Sequence, residues 1–232
     1  MIASPLATAP LLHLGPLSIT EPVLATWAII ILMAAVSAWL TRNLSLTPGK
    51  VQTVLELLVD TIDQQIRDTM QTGPATYRAL IGTLFLFVLI ANWSALVPGV
   101  TPPTAHLETD AALALIVLGA TMFYGIRTRG TAGYFAAFAE PSWVMIPLNV
   151  VEQITRTFSL VVRLFGNVMS GVFVIAIILS LAGLLVPIPL MALDLLTGAV
   201  QAYIFAVLSM VFIGAAISDT HHPVSVKKGE AS

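Results

Sequence analysis

The sequence predicts an all-α integral membrane protein with about five membrane helices, and three observations carry that prediction. Of 232 residues, 57% are hydrophobic and 9% charged, with a mean hydropathy of +0.94; soluble domains carry about 25% charged residues. Apolar runs at 23–40, 79–97, 111–126, 144–185 and 190–217 approach or exceed the length of a membrane helix, which needs roughly 20 residues to cross the hydrocarbon core. The basic residues fall in alternate connections. Arg42, Lys50, Arg67 and Arg78 lie between the first two runs, Arg127 and Arg129 follow the third, and Lys227 and Lys228 end the chain, whereas 1–22, 98–110 and 186–189 hold none. The positive-inside rule then sets the N-terminus outside and the C-terminus inside, as five spans require.

The chain reads as a single membrane domain over 1–232: an outer segment 1–22, three spans within 23–143, a helical hairpin at 144–217 and a cytoplasmic tail at 218–232. The first 22 residues lack Lys and Arg, so the basic region of a secretory signal is missing and the first run reads as a retained span. The absence of cysteine excludes disulfides and thiol ligands.

Between the first two spans, 50–71 forms an amphipathic helix. Val51, Val54, Leu55, Leu58, Ile62 and Ile66 recur at helical spacing, while Glu56, Asp60, Asp63 and Asp68 fall largely elsewhere on the wheel. Such a helix lies on the cytoplasmic surface, rests against a partner or packs on the protein's own loops, and all three readings stay open. Pro48-Gly49 and Gly73-Pro74 mark its ends. The sequons at Asn43 and Asn92 read as chance, the second because it falls inside a span.

The fourth run is too long to stand upright. A continuous helix over 144–185 measures roughly 60 Å, twice the ~30 Å hydrocarbon thickness, so it tilts steeply or breaks, with Gly166, Gly171 and Gly183 as flex points. Its polar residues, Glu152, Arg156, Ser159, Arg163, Asn167 and Ser170, recur at intervals of three and four and so share one helical face. A charge near mid-membrane costs roughly 2.5 to 3.5 kcal/mol on insertion scales, so this stripe looks toward protein or water. Glu152 can pair with Arg156 one turn on, but no acidic residue lies within a turn of Arg163.

The last run answers with Asp194, Thr197, Gln201 and, two turns further, Ser209, and Pro187-Ile188-Pro189 turns the chain back beside the fourth helix. Two polar faces in one antiparallel hairpin predict a hydrated, ion-handling path. A free-standing channel or secondary transporter is the alternative, although such folds often show two related halves and no internal repeat is visible. An intramembrane hydrolase would need a nucleophile and a base within the membrane, and His13, His106, His221 and His222 all lie outside the predicted spans. His221, His222 and Asp219 read as a solvated tail in preference to a zinc site, and neither a cofactor nor a nucleic-acid partner is expected.

"SLVVRLFGNVMSG", preceded by "PLNVVEQITRT" and followed by "QAYIFAVLSMVFIGAAISDTHH", resembles subunit a of the F-type ATP synthase. The likeness rests on Ser159-Leu160, Arg163-Leu164-Phe165-Gly166-Asn167 and Gln201-Ala202-Tyr203-Ile204-Phe205, with support from Pro98-Gly99 and Pro102-Pro103-Thr104-Ala105, and covers about 20 to 222. Two positions depart from the pattern: many members carry an acidic residue where Val172 stands and proline where Thr157 stands. The resemblance implies a non-catalytic stator subunit beside a ring of subunit c, with subunit b of the peripheral stalk, the remaining synthase subunits and lipid as partners. It implies two offset half-channels for H+ or Na+, in a bacterial inner membrane or, alternatively, a thylakoid or other organelle membrane. Arg163 would separate the half-channels. Asp194 would take up the ion on the outer path in place of the residue missing at Val172. Gln201 would hydrogen-bond near Arg163, Asn167 and Ser170 would line the path, and Asn149 and Glu152 would serve the inner path.

Overall fold

The computed structural model describes residues 10–14, 17–42, 49–97, 100–139, 145–182 and 186–218. A two-stranded antiparallel hairpin, β1 (Pro10–Leu14) and β2 (Leu17–Thr20), pairs Leu12 with Ile19 and precedes the helices. It is the one departure from helix that the sequence did not foretell among the described residues. Six α-helices follow among the described residues: α1 (Glu21–Thr41), α2 (Lys50–Met70), α3 (Arg78–Trp93), α4 (Leu107–Ala139), α5 (Met145–Ala182) and α6 (Ile188–Ile217). Five of them, all but α2, are long and apolar enough to cross a membrane.

The first span starts at Pro22, whose missing N–H costs nothing in a first turn. This helix is apolar all round and barely covered: Trp27, Ile31, Leu32 and Trp39 are exposed, and Ile29 alone is buried in the main core. Lipid is the solvent for such a surface. The third span begins at Leu107 rather than 111, because Glu108 and Asp110 occupy a helix N-terminus, where the dipole favours acids that an apolar count rejects. Its far end breaks at Gly130, whose φ of 77° only glycine adopts readily.

The amphipathic helix behaves in two ways along its length. Its C-terminal half packs Ile66 and Met70 against Tyr77, Ile81, Met210, Ile213 and Ile217, while Val51, Val54 and Leu57 stay exposed. Asp63, expected on the polar side, is buried instead, because Arg78 at the start of α3 bonds both of its oxygens and Arg67 stands 3.7 Å away. That pair ties α2 to the bundle.

Contrary to one of the two expectations, α5 does not break: it runs through Gly166 and Gly171 for 38 residues, about 57 Å. Pro147 is tolerated in its first turn, and Gly183 lies outside the described residues. A helix of that length exceeds a ~30 Å hydrocarbon layer, so it must tilt or protrude. The core places Leu160, Val161 and Leu164 of α5 against Phe87 and Val88 of α3, Leu113, Ala114 and Val117 of α4, and Ala202 and Phe205 of α6. Packing of small and branched side chains, rather than expulsion of water, holds such helices together in lipid.

Candidate functional site

The site grows from the antiparallel pairing of α5 and α6. At Gly171 the two helices meet through a side chain: a Cβ there would fall 2.8 Å from Asp194 Cγ, with Oδ1 closer still. Any larger residue at 171 would push that carboxyl out of the position it holds. Counting eight residues back along α5 from Gly171 reaches Arg163, and seven forward along α6 from Asp194 reaches Gln201. At 1.5 Å per residue Arg163 and Gln201 therefore share a level, about 11 Å along the helices from the Gly171–Asp194 contact. Asp194 is too far along to neutralise Arg163.

Arg163 is exposed and makes no ion pair or hydrogen bond with any described residue. It lines an open groove of about 550 Å³ with Val151, Glu152, Arg156, Ser159, Leu208 and Phe212. Further along that groove Arg156 pairs with Glu152, as the spacing predicted, and sits 5.5 Å from the Phe212 ring centre. Gln201 is buried beside Ala202 and Phe205, and no hydrogen bond links it to Arg163. Asn167 is half-buried, with its Nδ2 fully covered and without a partner among the described residues; Ser170 is exposed and donates to the Asn167 carbonyl at 2.9 Å.

Asn149 and Glu152 come together at the end of the bundle where α5 begins. They line a cavity of about 230 Å³ with Arg129, Tyr134, Gln153 and Arg156. Among the described residues no cluster of acids and histidines could hold a metal ion. The tail carrying Asp219, His221 and His222 lies outside the described residues.

Sequence reasoning missed a polar layer at the other end of the bundle. Asn92 donates from Nδ2 to the Gly198 carbonyl at 2.9 Å and accepts from Thr104 Oγ1 at 2.8 Å. Both side chains are buried, as is Asp110, whose two carboxyl oxygens have no hydrogen-bond partner among the described residues. Asn92 also shares a small cavity with Asp194. The signal was present: an asparagine inside a span is a polar group that lipid will not tolerate. Asp110 gives no such signal, because an acid just before an apolar run reads as part of the 98–110 connection.

Taken together, a bundle of apolar helices with a charged and amidated face on its terminal hairpin defines a polytopic membrane protein whose polar groups line its interior and one open groove. The family model described as "ATP synthase A chain" matches residues 23–214. "ATP synthase subunit a 2" of a Bradyrhizobium species is 50% identical over 229 residues, covering 99% of this chain and 100% of that one. "ATP synthase subunit a" of Albidiferax ferrireducens is 43% identical, covering 87% and 88%, and "ATP synthase subunit a 1" of Chlorobaculum parvum 44%, covering 87% and 90%. The chain belongs to the ATP synthase subunit a family.

Proposed function

We propose that this protein is the stator subunit that carries ions to and from a rotating ring of subunit c in the membrane sector of an F-type ATP synthase, in a bacterial inner membrane. The N-terminus and the 97–106 segment face outward, and α2, the start of α5 and the end of α6 face the cytoplasm. The observation that carries this reading is Arg163: a fixed cation, exposed on a membrane helix, with no counter-ion among the described residues. Its burial against lipid alone would be costly. An acid supplied by another subunit resolves the problem.

A ring carboxyl in lipid stays protonated, because desolvation disfavours its charge. Opposite Arg163, at about 4 Å and an effective dielectric near 20, the ionised form gains about 4 kcal/mol, so the site gives up its proton there. Arginine keeps its own proton and cannot hand one on. It therefore separates two half-channels, and each ion must travel round with the ring. On the outer side Asp194 exchanges protons with the ring, Gln201 provides hydrogen bonds at the Arg163 level, and Asn167 and Ser170 line the approach. On the inner side Asn149 and Glu152 mark the exit. The 100 mV of a working membrane supplies about 2.3 kcal/mol per charge, which rotation delivers to the catalytic head.

Membrane vesicles with assembled complexes test this. Arg163→Lys is expected to abolish ATP-driven proton pumping, since lysine can release its proton; pumping near the wild-type rate would refute the reading.

A further inference from the structure

The mechanism above uses one carboxyl, Asp194, on the outer path, yet the bundle buries a second. Asp110 lies in the first turn of α4, fully buried, and neither of its oxygens has a hydrogen-bond partner among the described residues. An isolated carboxylate out of water is expensive, and so is a buried acceptor left without a donor. A structural role would be served better by an apolar residue, as at Ala114 and Val117 on the same face of α4, which are buried in the core.

The helix pairing fixes where Asp110 sits. Leu113 and Ala114 share a core cluster with Leu164 of α5. Because α4 and α5 run in opposite directions, stepping one turn back from Ala114 to Asp110 and one turn on from Leu164 to Asn167 moves the same way, toward the 97–106 end. The covered Nδ2 of Asn167 thus lies on the same side of that cluster as the carboxyl of Asp110, and neither has a hydrogen-bond partner among the described residues. Asn92 reaches the same layer from α3 through Gly198 of α6, four residues past Asp194, and Thr104 closes it from the loop. The cavity shared by Asn92 and Asp194 measures about 10 Å³, about the room one water needs.

We propose that Asp110 is a second proton-exchanging carboxyl of the outer access path, feeding Asp194 across the layer formed by Asn92, Thr104 and Asn167. The inference rests on the stator reading given above. In it, an Asp110 oxygen gains a proton from the outer water, and that O–H bond breaks as the Asp194 carboxylate is protonated, restoring the Asp110 carboxylate. Of the ionisable groups on the packed elements, Asp194 of α6 and Arg163 of α5 stand toward this end, with His106 and Glu108 adjacent in its own chain, whereas Glu152 and Arg156 of α5, Tyr203 of α6 and Arg78 of α3 lie further toward the other end; α3 contributes the amide of Asn92 here.

The test uses whole complexes in membrane vesicles, with ATP synthesis driven by an imposed potential and outer pH varied. Asp110→Asn keeps the shape and removes the exchangeable proton. It is expected to assemble normally and to slow synthesis about tenfold, less than the roughly 10²–10⁴ contributed by a group at a reaction centre. It should also erase one ionisation from the outer-pH profile, with Asp110→Glu restoring both. A wild-type rate and profile in assembled Asp110→Asn complexes would overturn the proposal. So would failure of both variants to assemble, which would make the carboxyl structural, or a defect relieved by added Na+ at unchanged pH profile. Arg163→Gln run alongside separates the two readings: if it still transports, the stator assignment falls, whatever Asp110 does.

Discussion

Two arginines on the same bundle live by opposite rules. Arg78, at the start of α3, bonds both oxygens of buried Asp63, so its charge is neutralised within its own chain. Arg163, on an exposed face of α5, has no such partner among the described residues. A cation neutralised by its own fold stabilises that fold. One left unneutralised at a membrane surface stabilises something else, and the charge that meets it must come from outside the chain.

That contrast can be broken most sharply at Arg163 itself. Replacing it with glutamine removes about 4 kcal/mol of attraction for a facing carboxylate, close to a thousandfold in rate. Vesicle transport should collapse while assembly and thermal unfolding of the complex stay near wild type. If unfolding moved instead, Arg163 would belong with Arg78.

A smaller effect is expected at Gly171, where alanine would collide with the Asp194 carboxyl. Overpacking of that kind costs about 1–3 kcal/mol, so Gly171→Ala should both lower the melting temperature and slow transport. Gly166→Ala meets open space within the chain and gains helix propensity, so the stability of the subunit should hold or rise. Equal melting of the two variants would show that the Gly171–Asp194 contact is not tight.

Asp63→Asn should do the reverse of Arg163→Gln, with lower thermal stability and little selective loss of transport. The Arg78 guanidinium holds the Asp63 carboxyl below the usual carboxylate range, against the opposing pull of burial. Its contribution is therefore complete above the ordinary carboxylate pKa, near 4, and is lost as pH falls through the lower folded value. Melting temperature against pH should drop on the acid side for the wild type and flatten for Asp63→Asn. The smallest change is expected for Arg156→Gln, which opens an exposed pair with Glu152: about 0.3–0.5 kcal/mol by chemical denaturation.

Much of the fold was legible because hydrophobic length and helical period are local properties. The five spans came within a few residues of their observed ends, and α2 matched to one residue. The Glu152–Arg156 pair was legible for the same reason, since four residues make one turn. Where local counting failed, distant residues had decided. Asp63 looked solvent-facing because Arg78, fifteen residues on, is invisible to a helical wheel. Asp110 looked like loop because an acid ends an apolar run, although a helix N-terminus accepts one. Asn92 reads locally as a chance sequon, and its value appears only when Gly198, more than a hundred residues later, packs against it.

From the sequence alone came the number of spans, the amphipathic helix, the shared face of Arg163 and Asn167, and the family motif, all of which depend on spacing within one helix. Only the tertiary structure decided that Gly171 makes room for Asp194, that Arg163 has no mate among the described residues, and that Asp110, Asn92 and Thr104 are buried at one end of the bundle. Those are relations between helices. Their register is set by how side chains interlock, and no period within a single helix encodes it.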